Sequence, residues 1–168
     1  MAPRPWNHAI SVYQYEGLIR ELIHRFKYNR GSWLAPGFAA SMAESCRLYG
    51  DSVADCVTAV PLHWLRYLTR GYNQAELLAR LVAAALGLEY RPLLVRARRT
   101  RQQALLDSKS RNQNMHGVFR AKRMKNVVGS RILLVDDVIT TGSTLTAAAA
   151  ALKAAGAANV EILTLARG

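Results

Sequence analysis

The stretch Arg131-Ile132-Leu133-Leu134-Val135-Asp136-Asp137-Val138-Ile139-Thr140-Thr141-Gly142-Ser143-Thr144 constrains the fold more than any other part of the 168-residue chain. Four apolar residues in a row suit a strand buried on both faces, as in a parallel sheet covered by helices. Two carboxylates follow where that strand is expected to end. Small hydroxyl residues around one glycine come next, and an Ala-rich helix is expected to begin near Ser143. In an open parallel sheet, ligands collect at the carboxyl ends of strands. A helix N-terminus there presents free N–H groups and is an anion site. The hydroxyls of Thr140, Thr141, Ser143 and Thr144 add donors without bulk, and Gly142 allows close backbone approach.

Asp136 and Asp137 would repel a phosphate, so they need a separate reason. An ionised carboxylate only accepts hydrogen bonds, and Mg²⁺ prefers oxygen ligands. The pair therefore suits a ligand that carries hydroxyls or a divalent cation beside its phosphate, and a ribose phosphate meets both halves of the stretch. The residues alone also leave open an acidic strand end of a receiver-like or Rossmann domain with a Ser/Thr cap. Neither G-x-x-x-x-G-K-[ST] nor G-x-G-x-x-G occurs, which removes the P-loop and dinucleotide fingerprints.

Apolar residues make up 51% of the chain, enough to build a core in what is most simply one domain. No apolar run approaches the length of a membrane span. The first residues show no apolar core behind a basic start, so no signal peptide is expected and the chain is expected to be cytoplasmic. Cys46 and Cys56 form no C-x-x-C and read as buried thiols. His8, His24, His63 and His116 show no ligand spacing. The net charge of +12 is unevenly placed. Between Arg91 and Arg131 lie twelve basic residues and one acid, Asp107. Such a run is either a solvated face or a surface for a polyanion.

Residues 1–11 read as an irregular arm and 12–15 as a short strand. Leu18, Ile19, Leu22, Ile23 and Phe26 give a helical stripe that ends at Asn29-Arg30-Gly31. A second helix is expected from about Trp33 to Leu48, with Leu34, Phe38, Met42 and Cys46 at intervals of four. Residues 56–60 read as the first buried strand and 62–72 as a loop. A helix over about 73–86 follows, with Leu77, Leu78, Leu81, Val82 and Ala85 inward and Gly87 at its end. In this second strand–loop–helix joint, Arg66 and Arg70 either face a diphosphate or are ordinary exposed cations. Residues 93–95 and 118–120 are short strand candidates, and Val127-Val128 an edge hairpin. The segment 96–115 has almost no periodicity, and a loop of that length is usually functional or disordered. The signature strand, a helix with Leu145, Ala148, Ala149 and Leu152 inward, and a last strand over 160–165 complete an alternation that predicts a parallel α/β sheet with right-handed crossovers.

The signature resembles that of the type I phosphoribosyltransferases, whose substrate is phosphoribosyl diphosphate (PRPP). The resemblance implies that fold: a mostly parallel twisted sheet flanked by helices, with a small N-terminal helical hood. It assigns residues 1–50 to the hood and 51–168 to the core, with a flexible basic loop over 96–115. It implies Asp136 and Asp137 for the ribose, with Mg²⁺ bound through PRPP and Asp136 as its candidate contact. It implies Thr140, Thr141, Gly142, Ser143 and Thr144 for the 5′-phosphate. Val60-Pro61 with Arg70-Gly71-Tyr72-Asn73-Gln74-Ala75-Glu76-Leu77-Leu78-Ala79 is similar to the competence protein F branch, as are Tyr13-x-Tyr15-x-Gly17, Lys27-Tyr28, Arg99-Thr100-x-x-Gln103, Arg111, Asn112 and Phe119. By that resemblance Arg70, Gly71 and Tyr72 border the diphosphate. Many members carry a cysteine-rich zinc segment at the N-terminus; this chain has none, so it is either a short member or begins after that segment, and no zinc is expected in this chain.

Two functions follow from the resemblance. One is a PRPP-binding protein of DNA uptake in natural transformation, handling single-stranded DNA with DNA-uptake or helicase-type protein partners. Arg98, Arg99, Arg101, Lys109 and Arg111 are then the candidate nucleic-acid contacts, because Lys and Arg release counterions from phosphates. The other is an active phosphoribosyltransferase moving ribose 5-phosphate from PRPP to a nucleobase-like acceptor, by positioning and electrostatic stabilisation. No catalytic residue is assigned by the sequence.

Overall fold

The computed structural model describes residues 4–50, 54–96, 117–122 and 126–168. Five strands, β1 (His8–Gln14), β2 (Cys56–Ala59), β3 (Glu89–Tyr90), β6 (Arg131–Ile139) and β7 (Asn159–Arg167), form one sheet in the order β1-β7-β6-β2-β3. Every pairing in it is parallel. A separate antiparallel ribbon joins β4 (Leu94–Arg96) to β5 (Phe119–Ala121). The helices are α1 (Gly17–Phe26), α2 (Ala35–Tyr49), α3 (Trp64–Arg70), α4 (Gln74–Leu86) and α5 (Ser143–Ala154), and a short 3-10 turn (Asn29–Leu34) links α1 to α2.

The apolar run of β6 divides its side chains between two layers, as a parallel strand must. Leu133 and Val135 pack with Ile23, Phe26, Phe38, Met42, Leu78 and Val82 from α1, α2 and α4. Ile132 and Leu134 pack with Leu145, Ala148, Ala149 and Leu152 of α5 and with Leu94 and Phe119 of the ribbon. The inward face expected for α5 is thus the observed one. Ala148 and Ala149 are fully covered, and their small side chains let the helix lie close to the sheet. Among the described residues no helix is long and apolar enough to cross a membrane.

Several boundaries differ from expectation. The arm is strand from His8 onward, because β1 pairs along β7 from His8↔Glu161 to Gln14↔Arg167. Trp6 is already buried. The expected loop 62–72 contains α3. His63 Nδ1 accepts the Leu65 N–H at 3.3 Å, and Gly71 closes the helix in the left-handed region with φ +78°. Leu65, Tyr67 and Leu68 stay exposed, so local capping rather than an apolar stripe makes this helix. Ala85 is exposed, and α4 instead buries Gln74, Ala75, Leu78, Ala79, Val82 and Ala83. Val127-Val128 is a turn, not a hairpin strand, with Val127 buried and Val128 exposed.

Removing one side chain from the strand shared by both layers tests this packing. Leu134 is fully buried, and Leu134→Ala is expected to cost about 2–5 kcal/mol. Urea unfolding would show this as a lower midpoint at unchanged slope; an unchanged midpoint contradicts the assignment.

Candidate functional site

The strand β6 runs past its carboxylates rather than ending before them. It pairs with β2 only as far as Val135↔Ala59, but with β7 through Asp136↔Thr164 to Ile139↔Arg167. Asp136 and Asp137 therefore stand where β6 has neighbours on one side only. The alternation also changes phase across the pair: Val138 packs on the layer of Leu133 and Val135, and Ile139 on the other. Both carboxylates take local backbone donors. Asp136 Oδ1 accepts the Asp137 N–H at 2.9 Å, and Asp137 Oδ1 accepts the Val138 N–H at 2.8 Å.

Burial, and after it the neighbouring charge of Asp137, holds the Asp136 carboxyl well above the usual carboxylate range. A cation is close but does not cancel this. Lys27 Nζ lies 3.9 Å from Asp137 Oδ2 and 5.7 Å from the centre of the Tyr15 ring. At that distance the attraction is Coulombic rather than a hydrogen bond.

After β6 the chain turns at Gly142, φ +75°, into α5. A side chain there would be strained by the backbone and would touch Ile139 and Trp6 at 3.6 Å. Among the described residues no side chain caps this helix in the usual way. Thr141 Oγ1 lies 3.1 Å from Ser143 Oγ and accepts the Ser143 N–H at a long 3.4 Å. Thr140 and Thr141 are exposed, Ser143 and Thr144 half-buried. The expected hydroxyl-lined turn thus stands at a helix N-terminus beside the acidic pair.

The second joint is tied to the first through the end of α1. Tyr72 donates its hydroxyl to the Phe26 carbonyl, and Gln74 Nε2 donates to the Lys27 carbonyl at 3.1 Å. The last carbonyls of a helix lack intrahelical partners, and here two side chains from the start of α4 supply them. Gln74 Oε1 accepts from Arg70 Nη1 at 3.1 Å, and Asn73 Nδ2 donates to the Val60 carbonyl at 3.2 Å. The Arg-Gly-Tyr-Asn-Gln element therefore spends three of its side chains, Tyr72, Asn73 and Gln74, on joining β2, α4 and α1. Arg70 is half-buried and Gly71 exposed. Lys27 and Gln74 entered the sequence reasoning only as motif positions, in Lys27-Tyr28 and in the Arg70 to Ala79 element, with no role at the site assigned to either. Arg98, Arg99, Arg101, Lys109 and Arg111 lie outside the described residues.

The phosphoribosyl transferase domain family matches residues 72–168. The DNA utilization protein YhgH of Salmonella typhimurium is 34% identical over 98% of this chain and 74% of its own length. Competence protein F of Haemophilus influenzae is 31% identical over 96% of this chain and 73% of its own length. Among solved structures, the glutamine PRPP amidotransferase from B. subtilis, complexed with ADP and GMP, superposes with a TM-score of 0.56 at 23% identity. It matches 82% of this chain, which corresponds to 29% of the amidotransferase, so the likeness is one of fold.

The raised Asp136 carboxyl has a measurable consequence. A group whose pKa is raised by folding contributes stability that is full below its ordinary pKa and is lost as pH rises through the raised value. Asp136→Asn keeps the neutral form at every pH. In buffer with EDTA it is expected to melt above the parent protein at pH 8, with the gap narrowing toward pH 5. An equal gap at both pH values contradicts the burial argument.

Proposed function

This chain belongs to the phosphoribosyl transferase domain family, in its competence protein F branch, and on that premise we propose that it binds PRPP and acts in the utilisation of DNA as single strands during natural transformation. The observation that carries the ligand half is the joint at β6: two adjacent carboxylates, a turn with a left-handed glycine, four hydroxyl side chains and a helix N-terminus, in that order. Ribose hydroxyls donate to carboxylates, and a phosphate accepts from hydroxyls and helix N–H groups.

Mg²⁺ fits the same place. Asp136 and Asp137 are paired acids whose mutual repulsion a divalent cation would offset, and oxygen is its preferred donor. When bound, the ion would supply positive charge to the diphosphate. The chain's own part is to hold the ribose against the carboxylates, with the Lys27 ammonium 3.9 Å from Asp137 Oδ2. Arg70, held by Gln74 on the second joint, supports a diphosphate-facing role for that side.

The DNA half rests on relatives named for DNA utilization and competence that align over nearly the whole chain. The physical support is the excess of twelve basic residues over one acid between Arg91 and Arg131.

Two measurements test the two halves separately. PRPP with Mg²⁺ is expected to raise the melting temperature, by an amount equivalent to about 2.7 kcal/mol at a hundredfold excess over Kd. The Asp136→Asn, Asp137→Asn double variant is expected to lose that rise, and an equal rise in both proteins refutes the site. Fluorescence anisotropy with a labelled oligothymidylate at increasing salt is expected to give a log–log slope of about −0.7 per phosphate neutralised. Absence of binding removes the DNA half and leaves the PRPP half standing.

A further inference from the structure

At the carboxyl end of β2 the chain turns through Pro61 and Leu62 into α3. A cavity of about 470 Å³ opens there between this turn, the start of α4, β3 and the β4–β5 ribbon. It is lined from the β2–β3 side of the sheet, and residues 136–144 of the acidic joint are not part of its wall. Its chemistry is of three kinds. Leu62, Pro92 and Val95 give an apolar floor. Tyr67 and Tyr90 give two aromatic rings, and Tyr67 is 53% exposed on the short helix α3. Arg96 and Lys122 give cations from the two strands of the ribbon, one at the end of β4 and one just past β5.

The charges do not cancel within the groove. Glu76 is the acid in its wall, and Arg80 holds it with Nη2 at 2.8 Å and Nε at 3.1 Å from Oε1. Arg80 also covers Tyr90, with its guanidinium carbon 4.3 Å from the ring centre, which leaves Tyr67 as the more open of the two rings. The guanidinium carbon of Arg96 lies 5.5 Å from the centre of the Phe119 ring. Burial first, and then the charge of Arg66 on α3, disfavours the charged form of Arg96. Arg66 thus acts on Arg96 as a like charge, and an anion set beside Arg96 would relieve it.

An apolar floor, an exposed aromatic ring and cations on the facing wall match the parts of one unstacked nucleotide: a flat base and the phosphates beside it. A duplex keeps its bases inside and cannot lay one on Tyr67. We propose that this groove holds a single nucleotide of a DNA strand, its base against Tyr67 over the Leu62–Pro92 floor and its phosphates between Arg96 and Lys122. The proposal rests on the DNA-handling reading above and adds to it a place and a polarity: a stacking platform on α3 and a cationic wall on the ribbon.

The test compares Tyr67→Ala, Tyr67→Phe and Lys122→Ala with the parent protein, using a labelled oligothymidylate, the same sequence as a duplex, and free thymidine monophosphate. Tyr67 and Lys122 are both exposed, so circular dichroism and melting temperature are expected to stay unchanged. Tyr67→Ala is expected to weaken single-strand binding about tenfold while keeping the salt slope, and Tyr67→Phe to restore it. Lys122→Ala is expected to flatten the slope by about 0.7. Binding by the parent that is undiminished in both alanine variants overturns the groove while leaving DNA handling intact. Duplex, or the free mononucleotide, bound as tightly as the single strand also overturns it. No binding by the parent removes the DNA-handling reading itself, and this proposal with it.

Discussion

Two side chains close the end of α1, and the site is assembled around that closure. A helix leaves its last carbonyls without partners, and burying them unpaired costs about 1–3 kcal/mol each. The Tyr72 hydroxyl takes the Phe26 carbonyl and the Gln74 amide takes the Lys27 carbonyl. Phe26 itself is fully buried, edge-on to Phe38 and Tyr72 with ring centres 5.5 Å and 5.9 Å away. The end of α1 is therefore held by packing and by polar contacts together, and Lys27 leaves it in a direction that brings its ammonium to Asp137. A helix from the first part of the chain thus brings a cation to an acidic pair more than a hundred positions later. The motif at the start of α4 serves both joints.

How much of this could be read in the sequence follows from which interactions are local. The stretch 131–144 declared itself because strand, acids, turn and helix follow each other along the chain. Its buried run and the inward face of α5 stand as the pattern implied. The parallel sheet was legible from the alternation of elements for the same reason. The helix α3 was not, because it carries no apolar stripe and depends on a histidine cap and a terminal glycine. Nor was β3, a two-residue strand defined only by its pairing with Cys56 and Val57. The link from Lys27 to Asp137 joins side chains without any common period. Only the fold brings them together, so pattern reasoning had no means to connect them.

The carboxyl edge of the sheet carries both signs of charge, kept apart by its own architecture. The acids stand on β6, where it outruns β2 and keeps β7 alone as a partner. The cations Arg96 and Lys122 stand on a ribbon outside the sheet, beyond the β2–β3 side. Between them lie the β2 turn and α3. One edge thus offers an acidic environment on β6 and a basic one on the ribbon outside the sheet.

The pairing of β1 with β7 has a kinetic side. Ser11 Oγ and Thr164 Oγ1 meet at 2.8 Å across 153 positions of sequence, and both partners of β7 lie before it in the chain. The strand that joins β1 to β6 is made after both, so the loop from β1 to β7 closes late, and contacts so distant in sequence slow the search. On a ribosome, β1 and β6 would leave the tunnel with their β7-facing edges open. Order at the acidic pair would then arrive with β7, so the site could not be occupied before that strand has emerged.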